Sequence, residues 1–307
     1  MISTVNLSDK RIVFFGTPEF AAVVLQKIIS EGFTVSGVVT VPDKPQGRGK
    51  QMLPSAVKKV AMDYGLPVLQ PEKHKDPIFL AALAEFNADV FVVVAYRILP
   101  PEVFDMPPLG SFNLHASLLP KYRGAAPIHW AIINGEQDTG VTTFKLSKGI
   151  DTGGIYLQES VAISPEENLG SLYEKLAARG SELVIHTLAQ LFNSSITVTP
   201  QTDEFATLAP KITKELGLID WNKPAPEINN LIRGLSPTPC AYFLHNGKVY
   251  KIHSAKVSNQ TLNIGEIHQS KSQIIIGCAS GSLEVLELQA EGKRKMHVVE
   301  FLRGNSV

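Results

Sequence analysis

The first two-thirds of this 307-residue chain alternate short apolar segments with amphipathic ones, and this alternation restricts the fold more than any other feature. Strands are predicted at residues 11–15, 35–40 and 89–95, and the last is apolar on both faces, as a central parallel strand should be. Helices are predicted at residues 17–30, 55–64 and 76–85. This order is typical of an α/β fold with a Rossmann-like, mostly parallel sheet and helices on both faces.

Local signals indicate where several of these elements begin and end. Thr17 is a candidate N-cap, and Pro18 suits the first helical position after it. Asp76-Pro77 opens another helix in a similar way. Further strands are predicted at residues 111–115, 142–146 and 155–162. A long helix is predicted at residues 169–192, and Gly180 could interrupt it.

The pattern of the sequence changes after about residue 199. A polar connecting stretch leads to Trp221, and from Cys240 onward short alternating segments are separated by turn sequences such as His245-Asn246-Gly247. Evenly spaced short strands with such turns are typical of a small β-barrel, here of the OB-like kind. We therefore expect a Rossmann-like domain at residues 1–207, including a connecting segment from about residue 193, and a C-terminal β-barrel domain at residues 208–307.

The composition argues against several classes of protein. No apolar run approaches the roughly 20 residues that span a bilayer, and residues 12–15 are too few for the apolar region of a signal peptide. Lys and Arg together number 29, as do Asp and Glu, which argues against a broad basic field but leaves room for a local basic patch. Cys240 and Cys278 lack CxxC spacing and a nearby His pair. We expect a cytoplasmic protein with reduced thiols, no membrane segment and no metal site.

The segment from Asn113 to Pro120 holds the strongest candidates for chemistry. Asn113 and His115 are two residues apart in a predicted strand, so their side chains leave the same face. They stand near the carboxyl end of the strand, where open α/β sheets bind ligands. An amide beside an imidazole could stabilise an oxyanion and move a proton. The two residues could equally form a buried polar pair that the backbone satisfies.

Asp151 adds a carboxylate to this pair. It stands in a loop between predicted strands, close to Gly149, Gly153 and Gly154. Such loops often carry function, although an Asp between glycines is also a common turn residue. An Asn, a His and an Asp at one sheet edge, without metal-ligand spacing, fit addition to a carbonyl carbon better than metal-assisted hydrolysis. A dinucleotide site is disfavoured, because the turn after the first strand lacks G-x-G-x-x-G.

A second candidate site is the polar loop after the second predicted strand. Lys44, Arg48 and Lys50 lie within seven residues, among Pro and Gly. On composition alone, such a loop is a solvated surface feature. A chain with no net charge that binds RNA would, however, need a local set of cations of this kind for its phosphate contacts.

Three motifs stand out together, namely Asn113-x-His115, the stretch Ser117-Leu118-Leu119-Pro120-Lys121-Tyr122-Arg123-Gly124-Ala125-Ala126-Pro127-Ile128, and Asp151-Thr152-Gly153. This set resembles the signature of the 10-formyltetrahydrofolate-dependent formyltransferases. The resemblance implies that Asn113, His115 and Asp151 form the catalytic group. It implies that the folate-binding residues are Ser117, Leu118, Leu119 and Pro120. The implied co-substrate is 10-formyltetrahydrofolate, and no metal is implied.

Within this family, the chain is similar to the methionyl-tRNA formyltransferases. The similarity lies in residues 15–20, in residues 42–55, which match a basic tRNA-contacting loop, and in residues 209–221. It implies formylation of the α-amino group of methionyl initiator tRNA, which gives N-formylmethionyl-tRNA for translation initiation. Lys44, Arg48 and Lys50 would contact the tRNA. Residues 1–207 would be the catalytic domain, and residues 208–307 would aid tRNA binding in a monomeric protein.

Two other functions stay open at this point. A formyltransferase that acts on an amino-sugar nucleotide would share the two-domain layout, and the loop at residues 42–50 speaks against it. A catalytically silent RNA- or folate-binding protein could keep the same fold, and the intact catalytic group speaks against that.

The sequence departs from the family pattern in two places. The stretch Ala95-Tyr96-Arg97-Ile98-Leu99-Pro100 is one residue shorter than usual and lacks a glycine, in a loop that lies near the folate pocket of the family. The stretch Ser236-Pro237-Thr238-Pro239-Cys240-Ala241-Tyr242 lacks the tryptophan that commonly stands between its prolines. The first departure bears on folate binding, and the second on packing or RNA contact in the C-terminal domain.

Overall fold

The computed structural model describes residues 9–46 and 51–307 of the chain. These residues form two compact units. The first unit consists of the chain up to residue 124 together with residues 140–161 and 173–208. The second consists of residues 125–139, 162–172 and 209–307. Two segments from the first two-thirds of the chain thus join the C-terminal residues in one unit.

Strands and helices alternate over most of the first two-thirds of the chain, with one short hairpin after the second strand. The elements of the first part are β1 (Arg11–Gly16), α1 (Glu19–Ser30), β2 (Thr34–Val39), β3 (Lys44–Gln46), β4 (Gln51–Leu53), α2 (Ala56–Asp63), β5 (Val68–Leu69), α3 (Pro77–Ala84), β6 (Val90–Val94), α4 (Pro101–Phe104) and β7 (Ser111–His115). The next elements are β8 (Arg123–Gly124), α5 (Pro127–Ile133), β9 (Asp138–Lys145), β10 (Ile155–Ala162), α6 (Leu169–Phe192) and β11 (Leu208–Ala209). Every strand and helix predicted in this part is present, with boundaries shifted by a few residues.

Seven strands of the described chain form one sheet, in the order β10-β9-β7-β6-β1-β2-β5. The neighbouring strands from β7 to β5 are parallel to one another. β9 runs antiparallel to β7, so the sheet is mixed towards this edge. The strand residues 12–15 and 90–94 are buried throughout, as expected for central parallel strands covered on both faces. The predicted Rossmann-like α/β fold is confirmed.

Helices cover both faces of this sheet. On one face, apolar side chains of α3 and α4 pack together with those of β1, β2 and β6, namely Phe79, Leu83, Val103, Phe104, Val13, Phe15, Val39, Phe91 and Val93. On the other face, Gly16 lets α1 and α2 approach β1 closely. A Cβ at Gly16 would stand 2.7 Å from Ala21 of α1 and 3.2 Å from Val57 of α2.

Side-chain caps begin two of the helices. The side chains of Ser55 and Asp76 each accept a hydrogen bond, at 3.0 Å, from a backbone N–H of the first helical turn. These caps mark the starts of α2 and α3. The prediction that Thr17 caps α1 is wrong, because Pro18 occupies the N-cap position and offers no side-chain acceptor. A backbone N–H of the first turn of α1 donates instead to the hydroxyl of Tyr173, at 2.9 Å.

The long helix α6 is continuous from Leu169 to Phe192, so Gly180 does not interrupt it. Gly180 is buried where the helix crosses the sheet, and a Cβ at this position would come 2.8 Å from Cδ2 of Leu114 in β7. The glycine therefore allows close contact between the helix and the strand. It serves packing and does not interrupt the helix.

The C-terminal elements are α7 (Ala225–Leu235), β12 (Ala241–His245), β13 (Lys248–Ser258), β14 (Ile267–Gln269), β15 (Ile274–Gly277), β16 (Ser282–Ala290), β17 (Met296–His297) and α8 (Val298–Leu302). The strands form an antiparallel sheet in the order β12-β13-β16-β15-β14, with β17 beside β16. This sheet curls into a half-barrel, which confirms the barrel-like fold predicted for the C-terminal residues. Ile228, Ile232 and Leu235 form the apolar stripe of α7 and join its core.

No helix in the described ranges is long and apolar enough to cross a membrane. Cys240 and Cys278 are both free and buried. Burial raises the pKa of the Cys278 thiol to about 11, so this group is protonated at neutral pH.

Candidate active site

Strand β7 places Asn113 and His115 on one face of the seven-stranded sheet. In the sheet register Asn113 lies beside Val93 of β6, which belongs to the face that packs against α3 and α4. His115 leaves the same face two residues later and is the last residue of the strand. Asn113 is half-buried, and His115 has only 7% of its surface exposed. The predicted pair therefore lies at the carboxyl end of a sheet strand.

Asp151 approaches this pair from the loop between β9 and β10. Its carboxylate oxygen Oδ2 lies 3.8 Å from Nδ1 of His115 and accepts a hydrogen bond from the backbone N–H of Gly124 at 2.8 Å. The first distance is too long for a hydrogen bond, so Asp151 and His115 interact through charge when the imidazole is protonated. Asp151 and Asn113 line the same cavity. The structure thus brings the three predicted residues to one place.

The second ring nitrogen of His115 shows where its hydrogens are. Nε2 lies 2.8 Å from the carbonyl oxygen of Tyr122. Because a carbonyl oxygen can only accept, Nε2 carries a hydrogen in this contact. A neutral ring therefore has its lone pair at Nδ1, where it can take a proton. A protonated ring presents an N–H at the same position to the carboxylate of Asp151.

A cavity of about 100 Å³ opens beside these side chains. Its walls are Val93, Phe104, Asn113, Leu146 and residues 96–99 and 147–151. Two of the lining side chains, Ile98 and Ile150, are 73% and 58% exposed, which leaves apolar surface at the rim. An amide, an imidazole and a carboxylate thus lie at or beside a small cavity with an apolar rim.

The loop at residues 95–100 is held by Arg97. The guanidinium of Arg97 donates to the carbonyl oxygens of residues 71 and 72, at 2.6 and 3.1 Å, and to the hydroxyl of Tyr96 at 3.0 Å. Nε2 of His74 lies 3.2 Å from the same hydroxyl. Burial, and then the charge of Arg97, lowers the pKa of His74 to about 4. The Tyr96 hydroxyl therefore accepts from Arg97 and shares a hydrogen bond with neutral His74.

Gln201 completes the surroundings of Asp151, although the sequence did not single it out. Its Nε2 donates to the carbonyl oxygens of Asp151 and Gly153, at 2.8 and 2.7 Å. Its Oε1 accepts two hydrogen bonds from the guanidinium of Arg123, at 3.0 and 2.7 Å. Arg123 is 9% exposed and also donates to Asp203 at 2.8 Å. Arg123 stands in a motif noted above, but no pattern around Gln201 indicated a contact with a residue 50 positions earlier.

Ser117 to Pro120 form a turn after β7 whose polar groups are occupied within the protein. Ser117 Oγ donates to the carbonyl oxygen of Lys121 at 2.6 Å, and Thr142 Oγ1 donates to the carbonyl oxygen of Ser117 at 2.6 Å. Ser117 and Leu119 are buried, whereas Leu118 and Pro120 are half-buried. Within the described part of the chain, the cavity beside Asp151 is lined by other residues.

Of the three cations predicted to contact RNA, Lys44 is exposed at the start of β3, whereas Arg48 and Lys50 lie outside the described residues. Lys44 and Lys59 line a second cavity, of about 660 Å³, next to the carboxyl ends of β1 and β2.

The residue before Lys44 is firmly held. Lys58 Nζ and Gln70 Nε2 donate to the two carboxylate oxygens of Asp43, at 2.6 and 2.8 Å. These two bonds, that from Lys58 first, lower the pKa of Asp43. Gln70 also donates to the carbonyl oxygen of Val41 at 2.8 Å, so the entry of the basic loop is fixed at two points.

Among residues 9–46 and 51–307, no group of three or more His, Cys, Asp or Glu side chains is arranged to hold a metal ion.

The sequence matches one protein family along nearly its whole length. Residues 10–188 match the formyl transferase family, and residues 211–306 match the formyl transferase C-terminal domain. The chain therefore belongs to the formyltransferases, which agrees with the predicted resemblance and enzyme class. The relatives that it matches over this length are named methionyl-tRNA formyltransferase. One, from Caldanaerobacter subterraneus subsp. tengcongensis, is 48% identical over 97% of both chains.

Another relative named methionyl-tRNA formyltransferase, from Flavobacterium johnsoniae, is 48% identical over 96% of both chains. Among solved structures, the N-formyltransferase from Helicobacter canadensis, in complex with folinic acid and dTDP-3-aminofucose, has a TM-score of 0.68. It is 21% identical, and the match covers 94% of this chain and all of the other. At that identity the structure supports the fold, whereas the closer sequence relatives support the predicted branch of the family.

Proposed function

We propose that the chain transfers the formyl group of 10-formyltetrahydrofolate to the α-amino group of methionyl initiator tRNA, and so supplies N-formylmethionyl-tRNA for translation initiation. The observation that supports this most strongly is the 48% identity, over nearly the whole chain, to proteins named methionyl-tRNA formyltransferase. The grouping of Asn113, His115 and Asp151 supports the same chemistry by a separate route.

The reaction joins the amine nitrogen to the formyl carbon and breaks the bond from that carbon to N10 of the folate. An unperturbed α-amino group has a pKa of about 8, so part of it is neutral and nucleophilic near pH 7. Its attack places negative charge on the formyl oxygen. In this proposal the side-chain amide of Asn113 and the Nδ1–H of protonated His115, whose Nε2–H is held by the Tyr122 carbonyl, donate hydrogen bonds to that oxygen. Asp151, directly or through a water, takes the proton that leaves the amine and relays one to N10.

The folate would enter the cavity beside Asn113. Ser117, Leu118, Leu119 and Pro120 do not line this cavity, so as the folate-binding stretch they would contact the part of the folate that lies outside it. Pockets for ligands of this size typically have a volume of about 300 Å³ or more. Because the cavity measures about 100 Å³, the bound folate would extend over the apolar rim at Ile98 and Ile150.

The tRNA would be held by the basic loop and by the C-terminal residues. Lys44, Arg48 and Lys50 would contact phosphates, and the anchored Asp43 would fix the start of their loop. Residues 1–207 would carry the chemistry and residues 208–307 would add to tRNA affinity. The proposal includes a monomeric protein that acts in the cytoplasm without a metal.

A comparison of acceptors tests the proposal. The purified protein is supplied with 10-formyltetrahydrofolate and with methionyl initiator tRNA, methionyl elongator tRNA or an amino-sugar nucleotide. We expect rapid formylation of the initiator tRNA and slow or no formylation of the other two. Preferential formylation of the amino-sugar nucleotide would overturn the tRNA assignment and leave the formyltransferase chemistry in place.

A charge reversal at Arg48 tests the basic loop. Arg48→Glu should weaken tRNA formylation by at least about tenfold, which corresponds to a lost contact of roughly 1–3 kcal/mol. The dependence of the rate on salt should flatten, because fewer counterions are released. Arg48→Lys is the matched control, since it keeps the charge and loses only the bidentate geometry. If Arg48→Glu formylates methionyl-tRNA as well as the parent at low and moderate salt, the loop has no role in binding.

A further inference from the structure

The segment from Tyr122 to Gly124 contacts the His115–Asp151 pair directly at two points and reaches it a third time through Gln201. The carbonyl oxygen of Tyr122 accepts from His115, and the backbone N–H of Gly124 donates to the Asp151 carboxylate. Arg123, between them, points into the protein and binds Gln201. One short stretch therefore fixes the imidazole and the carboxylate directly, and it reaches the backbone of Asp151 through Gln201.

The amide of Gln201 has a single possible orientation. Its two nearest carbonyl oxygens, those of Asp151 and Gly153, can only accept, so the nitrogen faces them and both of its hydrogens are used. The guanidinium of Arg123 can only donate, so the oxygen of Gln201 faces it. Every hydrogen-bonding group of this side chain is committed, and no other rotamer of the amide satisfies the same partners.

The backbone at Asp151 benefits from such a restraint. Its φ of +54° lies in the left-handed region, which costs a residue with a side chain free energy, although Asp tolerates it better than most. Gly153 packs closely in the same loop, because a Cβ there would overlap the carbonyl oxygen of Lys145. The two bonds from Gln201 tie residues 151 and 153 together across this turn.

We propose that Gln201, held in place by Arg123, is a positioning residue that sets the Asp151 carboxylate at its working distance from His115. Gln201 does not line the cavity beside Asp151, so it acts through the backbone of Asp151 and touches no reacting atom. This inference rests on the proposed role of Asp151 in formyl transfer.

Gln201→Leu removes both donors at nearly constant size. We expect kcat to fall about 10- to 100-fold, because small displacements of a catalytic group cost rates of this order. The KM values for folate and for the acceptor should change by less than about threefold, since the binding surfaces stay intact. Asp203→Asn is the control, because it removes the negative charge of the exposed partner of Arg123 and leaves the bonds to Gln201. It should keep the parent kcat.

Gln201→Glu guards against a failure of the leucine variant to fold. It keeps the size and the acceptor for Arg123 but removes both donor hydrogens, so it should fold and still lose kcat. The deciding measurement is a double-mutant cycle with Asp151→Asn, carried out with the acceptor that the parent formylates. We expect Gln201→Leu or Gln201→Glu to have almost no further effect in the Asp151→Asn background.

A full, multiplicative loss in that background would show that Gln201 acts only on general structure, and parental kcat in a folded Gln201→Glu would overturn the proposal outright. The outcome for the proposed function is read separately, from the acceptor that the parent protein prefers.

Discussion

One carboxylate oxygen of Asp151 has two neighbours with different chemistry. Oδ2 accepts from the backbone N–H of Gly124 at 2.8 Å and faces Nδ1 of His115 at 3.8 Å. The first contact is available to any acceptor, whereas the second depends on negative charge. Substitutions that keep the acceptor and remove the charge can therefore separate structure from chemistry at this position.

Asp151→Asn makes this separation. We expect kcat to fall about 100-fold or more, a typical loss when a charged or oxyanion-stabilising group is removed from an active site. The thermal midpoint should change little, because the amide oxygen can still accept from Gly124. Formyl transfer at saturating folate and acceptor, together with a melting curve, measures both. Losses of similar size are expected for Asn113→Ala and His115→Ala, and near-parental turnover would remove the residue concerned from the chemistry.

His74 should make stability depend on pH. Burial, then the charge of Arg97, lowers its pKa from 6.5 to about 4, so the unfolded chain binds a proton at a higher pH than the folded one. Above pH 6.5 the group has no effect, and as the pH falls from 6.5 towards 4 the folded state loses stability. We expect His74→Gln to reduce the drop in melting temperature between pH 7 and pH 5. An identical drop in parent and variant would contradict this.

The spacing of residues in the sequence predicted Asn113, His115 and Asp151 but gave no indication of Gln201. Asn113 and His115 share a face because strand side chains alternate, and this needs only local geometry. Asp151 was indicated by the glycines around it. Gln201 could not be found in this way, because its contacts span 50 and 78 residues and its neighbours in sequence are ordinary polar residues.

At the scale of whole elements, one glycine of α6, Gly180, allows this helix to pack closely against β7. Leu114 leaves β7 on the face opposite to Asn113 and His115 and meets α6 at Gly180. The strand that carries Asn113 and His115 is therefore packed, on its opposite face, against a helix that does not line the cavity beside Asp151.

Gly180→Val should be destabilising although glycine is a poor helix former. The added side chain has to displace Leu114, and overpacking of a core costs about 1–3 kcal/mol. Ala178→Val, at an exposed position of the same helix, is the matched control and should cost only about 0.5 kcal/mol of helix propensity. Denaturant unfolding of the two variants gives the comparison. Equal stabilities would show that Leu114 repacks without strain.

Elements with irregular signals escaped prediction. The hairpin of β3 and β4 comes from a loop rich in Pro and Gly, where composition favours irregular structure. The helix α7 begins at Pro224-Ala225-Pro226, and prolines there suggest a connecting segment, although a proline is also favoured in the first helical turn. In both places the tertiary environment decides between two local preferences.

At the scale of the whole molecule, the second unit includes a helix from the middle of the chain. α5 packs against α7 closely enough that a Cβ at Gly234 would come 2.6 Å from Ile133. Our proposed boundary near residue 208 leaves α5 on the N-terminal side and α7 on the C-terminal side. A fragment that ends at 208 therefore keeps all strands of the seven-stranded sheet and loses the partner of α5.

This arrangement predicts that Ile133→Glu helps a fragment ending at residue 208 but harms the full chain. A fragment ending at residue 208 should fold and bind folate, but it should aggregate through the exposed face of α5. Ile133→Glu should improve the solubility of the fragment, because it places a charge on that face. In the full chain, Ile133 packs against the C-terminal core, so the same change should lower the melting temperature. Destabilisation of both proteins would contradict this account of the fragment.

The long separation of Gln201 from its partners also has a consequence for the order of events during folding. Closing a chain segment costs entropy that grows with its length, and distant contacts reward the chain only after that cost. Helices and the strand pairs that are close in sequence, β1 with β2 and β6 with β7, can form while residue 201 is still far from residues 123 and 151. In a refolding experiment, the circular dichroism signal should therefore recover before the ability to transfer a formyl group. Although Asn113 and His115 are separated by a single residue, competence for catalysis would then arrive late, as a property of the closed chain.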